Sequence, residues 1–138
     1  MKISKINKEF LDLYYKKKLI ASEVDYDNGK VYITDSYRLY IINIEDMALN
    51  FQIFKQVSLK QLIDDSNYED GLITNNLIDG EYTIRTLINK DNTIKVNIND
   101  KYLRLFDNPD IKVKGDDKPV LVYEKGELVG LILPIKEY

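Results

Sequence analysis

The apolar positions of the first eighteen residues follow a helical rhythm. Ile3, Ile6, Phe10, Leu13 and Tyr14 fall on one stripe of a helix, with charged and polar residues between them. Ser4 or Asn7 is the expected cap, and Glu9 and Asp12 precede Lys16, Lys17 and Lys18, an order that suits the helix macrodipole. From Val24 the rhythm changes to two. Val24 and Tyr26 lead into Asn28-Gly29, a strong hairpin signal, and Val31-Tyr32-Ile33 returns. Thr34-Asp35-Ser36-Tyr37 then turns, and Arg38–Ile44 runs out as a long strand.

Ser58–Asp64 reads as a short second helix with Ser58 at its N-cap. After the polar stretch 64–70, strands are expected at Tyr82–Ile88, Thr93–Ile98 and Tyr102–Phe106, the last entered through an Asn99-Asp100 turn. Asp107–Lys118, with Pro109 and Gly115, reads as irregular. A final hairpin joins Val120–Tyr123 to Leu128–Leu133 across Glu124–Glu127. The pattern predicts a single α+β domain over residues 1–138, with two helices packed on antiparallel sheet.

Composition removes several kinds of chemistry. The chain has no cysteine and no histidine, so thiolate and imidazole metal sites and Ser/His/Asp or Cys/His nucleophile arrangements cannot be built. Six glycines contain neither GxxxxGK[ST] nor GxGxxG, the loops that cradle phosphates. The acidic pairs Asp64-Asp65, Glu69-Asp70 and Asp116-Asp117 could in principle hold magnesium. Each sits in a turn-like stretch, where aspartate serves local backbone geometry. No catalytic residue, metal or cofactor is expected, and the protein is read as non-enzymatic. No apolar run reaches the ~18 residues of a membrane helix, and lysines interrupt the first apolar positions, so a cytoplasmic protein without a leader is expected.

Charge is uneven. Residues 1–18 carry a net +4 and the remaining residues −7. Lys5, Lys8, Lys16, Lys17 and Lys18 are therefore candidate DNA contacts, set against the simpler reading of a solvated helix end. The eleven tyrosines fit strands better than base-stacking platforms, since only three arginines accompany them.

Two segments carry a more particular signal: Thr34-Asp35-Ser36-Tyr37-Arg38-Leu39, and Leu131-Ile132-Leu133-Pro134-Ile135-Lys136. The first resembles the Thr-Asp-Gly-His-Arg-Leu segment of DNA sliding clamps of the bacterial β-clamp type. The second is similar to the Val-Val-Met-Pro-Met-Arg strand that ends those chains. Leu77-Ile78-Asp79-Gly80-Glu81-Tyr82 is a weaker echo of a Leu-Ile-Asp-Gly-Arg-Phe segment. Ser36 and Tyr37 replace the glycine and histidine of the family turn.

The resemblance implies a DNA-clamp-like fold of two β-α-β-β-β units. It also implies a partner-peptide pocket to which Thr34, Ser36, Tyr37, Arg38, Leu39, Leu131, Leu133, Pro134, Ile135 and Lys136 would contribute. In the family those two segments come from adjacent modules, and six modules make a ring, whereas this chain has the length of one. The expected partner is a replication protein or its peptide motif, with DNA and further copies of the chain as additional candidates. The alternatives are an unrelated inhibitor or interaction protein of a phage or mobile element, and a small nucleic-acid-binding module using the basic first helix.

Overall fold

The computed structural model describes residues 1–135. The chain is α+β, with two α-helices and ten strands among the described residues, and it divides into two compact units, Met1–Asp64 and Asp65–Tyr138.

The first unit opens with α1 (Ile3–Tyr15), followed by β1 (Ala21–Asp25), β2 (Lys30–Thr34), β3 (Arg38–Asn43) and the short β4 (Lys55–Gln56). Its strands lie in the order β4-β1-β2-β3. β1–β2 and β2–β3 are antiparallel hairpins, and β4 runs parallel to β1. The β1–β2 turn places Gly29 at φ +64, the left-handed conformation that makes Asn-Gly a hairpin former. Helix α1 turns Ile6 and Phe10 inward, and the Phe10 ring meets Tyr40 edge-on at 6.0 Å. Val31, Ile33, Tyr40 and Ile42 are sealed from solvent alongside them.

The second unit contains β5 (Glu69–Ile78), β6 (Ile84–Asn89), β7 (Lys95–Asn99), α2 (Asp100–Leu103), β8 (Asp110–Val113), β9 (Val120–Glu124) and β10 (Glu127–Ile132). Its strands run in the order β10-β9-β8-β5-β6-β7, every pairing antiparallel. The β9–β10 turn uses Lys125 and Gly126 at φ 52 and 78, the two left-handed residues a tight hairpin requires. Leu87, Val96, Ile98, Ile111, Val113 and Leu121 fill its interior. Beyond β10 the chain reaches the opposite edge, where the Ile135 N–H donates to the Asn97 carbonyl of β7 at 2.8 Å.

Several expectations need correction. The segment Ser58–Asp64 forms only a single 3-10 turn at Lys60–Leu62. Its leading N–H groups, on Leu59 and Lys60, are taken by the Glu23 carboxylate at 2.9 and 2.6 Å instead of by Ser58. A run that short cannot repay helix nucleation without strong packing. The second helix lies instead at Asp100–Leu103, inside the segment read as leading to a strand. There the Asn99 side chain accepts from the Lys101 N–H at 3.0 Å, turning a turn signal into a helix cap. β5 and β8 form where no strand was expected. Neither Ser4 nor Asn7 caps α1: the N-cap is Lys2, whose side chain makes no capping bond, and Asn7 is buried with its amide directed at the Asp46 carbonyl, 3.5 Å away.

Candidate functional site

The Thr34–Leu39 segment is a turn closed by its own side chains. Thr34 Oγ1 donates to the Arg38 carbonyl at 2.7 Å and accepts the Ser36 N–H at 3.1 Å. Asp35 Oδ1 accepts the N–H groups of Tyr37 and Arg38 at 3.0 and 3.2 Å, the Asx arrangement that lets aspartate organise a turn. Ser36 stands at φ +81. This is left-handed territory, costly for a residue with a Cβ and natural for glycine.

Arg38 faces inward. Its side chain is 4% exposed and donates from Nε to Asp35 at 3.1 Å and from Nη1 to Glu9 of α1 at 2.6 Å. The guanidinium also lies 5.2 Å from the Phe10 ring and 5.6 Å from that of Tyr40. Burial works against its charge, but the Tyr40 hydroxyl, Asp35 and Glu9 more than offset that and hold it above its ordinary range. Burial likewise pushes the Tyr40 phenol up, with Arg38 opposing. Arg38 thus ties the hairpin to α1. Leu39 is buried, and Tyr37, 63% exposed, is the large side chain that this turn presents to solvent.

At the other candidate segment, Leu131 is half-buried, Ile132 sealed and Leu133 exposed, with Pro134 and Ile135 half-buried. Strand β10 places Leu131 and Ile132, and the Ile135–Asn97 hydrogen bond holds the run after the strand. Lys136 lies outside the described residues. Thr34, Ser36, Tyr37, Arg38 and Leu39 belong to one unit and Leu131, Leu133, Pro134 and Ile135 to the other.

The lysines Lys5, Lys8, Lys16, Lys17 and Lys18 are all exposed, and none enters an ion pair among the described residues. The last three shape the end of α1. The Lys18 N–H reaches the Leu13 carbonyl and the Lys17 N–H reaches that of Tyr14, both at 3.0 Å, with Lys17 at φ 58. This is a Schellman closure with lysine where glycine is usual. Tyr15 and Leu19, 73% and 64% exposed, flank the triplet.

Two surface hollows were not foreseen from sequence. One, of about 470 Å³, lies beside β1 between Val24, Tyr26 and the Phe51–Ser58 segment. The other, of about 430 Å³, lies over Gly71, Ile111, Lys112 and Tyr123. Neither contains a residue of the two candidate segments or of the lysine set, although Asp70 of the Glu69-Asp70 pair lines the second. Among the described residues no three acidic side chains converge as a metal site would require, and no helix is long and apolar enough to cross a membrane. No protein-family model, curated protein or solved structure matches the chain.

Proposed function

We propose that the chain is a non-enzymatic, clamp-like binding protein that docks a short apolar peptide of a replication protein. The observation that carries this reading is the backbone of Ser36. The resemblance pairs it with a glycine, and at φ +81 it keeps the conformation a glycine would supply. Thr34, Asp35 and Arg38, which match the family segment, are the residues that build the same turn. In the second unit the succession β7-α2-β8-β9-β10 has the order β-α-β-β-β; in the first, α1 precedes the strands.

On this reading the turn is scaffold, and Tyr37 and Leu133 are the contacts each unit offers, being the exposed apolar members of the two segments. Fluorescence anisotropy with labelled peptides carrying a polymerase clamp-binding sequence tests it. Saturable binding is expected, weakened about tenfold or more by Tyr37→Ala and by Leu133→Ala with thermal unfolding unchanged. Peptides that do not bind, or variants that bind as wild type, overturn it.

A second reading, DNA contact through α1, is favoured by the five exposed lysines, one of them at the left-handed position 17. It predicts duplex binding whose log affinity falls with log salt by about 0.9 per phosphate engaged. No binding at low salt removes it.

A further inference from the structure

Strand β5 has an edge that the fold leaves open. Its ten residues pair with β6 from Gly71 to Ile78, but with β8 only through Glu69 and Asp70 among the described residues. From Leu72 onward the β8-side edge is unaccompanied, and the residues there are large, apolar and in solvent. Leu72 is 48% exposed, Ile73 39%, Leu77 46% and Ile78 40%. Natural sheets blunt such edges with charge, proline or a bulge. Here Leu72–Ile78 contains no charge and no proline.

A bulge is present at 74–76, where the register to β6 shifts. It is pinned internally: Thr74 Oγ1 donates to the Thr86 carbonyl at 2.7 Å and Arg85 Nη1 donates to the Thr74 carbonyl at 2.8 Å. Both contacts lie on the β6 side, and within the bulge the Asn76 N–H donates to Thr74 Oγ1 at 3.1 Å, so the strand itself satisfies that one donor.

The sequence of this edge indicates what covers it. Leu72-Ile73-Thr74-Asn75-Asn76-Leu77-Ile78 is self-complementary about Asn75. Laid antiparallel against itself, Leu72 faces Ile78, Ile73 faces Leu77, Thr74 faces Asn76 and Asn75 faces its own counterpart. Every apolar residue meets an apolar one and every polar residue a polar one. The bulge falls at the same place on both strands, so it does not break the register. An unrelated partner strand would match this pattern only by chance; an identical one does so by symmetry.

We propose that β5 is a homodimerisation strand, pairing through Leu72–Ile78 with β5 of a second copy across a twofold axis. Such a contact is isologous and closes at two copies. Its stability comes from main-chain bonds and from cross-strand apolar pairs, each counted twice by the symmetry. It depends on β5 alone and not on the peptide-docking reading.

The test begins with sedimentation over a concentration series, in which a reversible monomer–dimer equilibrium is expected. Asn75 is exposed, so substitutions there leave the fold intact, as circular dichroism would verify. Asn75→Lys and Asn75→Asp each place like charges opposite one another and are expected to weaken association about tenfold or more. An equimolar mixture of the two variants is expected to restore it. Because the chain lacks cysteine, Asn75→Cys gives an orthogonal readout. Directly opposed strand residues have Cα atoms about 4.5–5.5 Å apart, within disulfide range, so mild oxidation should link this variant far faster than an Asp116→Cys control. A strictly monomeric wild type, an Asn75→Lys variant that dimerises as wild type, or equal cross-linking of the two cysteine variants overturns the proposal.

Discussion

Replacing Arg38 by methionine separates a scaffold from a contact residue. The substitution keeps most of the apolar stem and deletes a guanidinium that is 4% exposed. Removing one partner from a buried ion pair generally costs about 3–5 kcal/mol, because the remaining charge is stranded. Here the stranding is incomplete. Asp35 keeps two backbone N–H donors, and Glu9, at 21% exposure, can turn toward water. The stacking of the desolvated cation on Phe10 and Tyr40 is also lost, worth up to about 2 kcal/mol. Together these place Arg38→Met near 3 kcal/mol, a large part of the ~5–15 kcal/mol that holds a typical domain.

Urea denaturation followed by tyrosine emission measures it, since the chain has no tryptophan to mask that signal. Glu9→Gln removes the stranded charge, so the double variant should lose clearly less than the two single losses combined. A loss below ~1 kcal/mol, or strict additivity with Glu9→Gln, refutes the buried ion-pair account. Peptide binding lost with stability untouched would return Arg38 to the contact surface.

Three further outcomes follow from local geometry. Ser36→Gly relieves a left-handed Cβ at φ +81 and should stabilise by ~0.5–1 kcal/mol after the added entropy of unfolded glycine is subtracted, read as a shift in the urea midpoint. Burial raises the Tyr40 phenol, and less strongly that of Tyr32, so the folded state holds these protons more tightly than the unfolded chain does. Their contribution is fully present below the unfolded value near 10 and is lost as pH rises beyond it, so phenolate absorbance from Tyr40 should appear only with alkaline unfolding. The Asp25 carboxyl is lowered first by its hydrogen bond to Lys60 and then by Asn28, so its stabilising effect is present above the ordinary carboxylate pKa and disappears as pH falls through the folded value. Lys60→Met should move the Asp25 carbon-detected NMR titration back up toward 3.8, while an unchanged midpoint would contradict the pairing.

Local physics was legible wherever it was self-contained. The stripe Ile3–Ile6–Phe10 specifies α1 because its period needs no distant partner, and Asn28-Gly29 and Lys125-Gly126 specify hairpins because their φ values are a property of the turn residues. Asp35 organises its turn with N–H groups two and three residues away, so that piece of the candidate site could also be read directly. What distant residues impose was not legible. Glu9 meets Arg38 across 29 positions of chain and holds it as a buried tie between the hairpin and α1. Glu23 takes the N–H groups that Ser58 was expected to cap. β5 has apolar residues on both sides of its pleat and in solvent, which breaks the alternation by which strands are recognised; its pairing with β6, and with β8 at Glu69 and Asp70, makes it a strand. Periodicity and turn chemistry are encoded within a few residues, whereas the burial of a charge or the exposure of an edge depends on which chain segments the fold brings alongside.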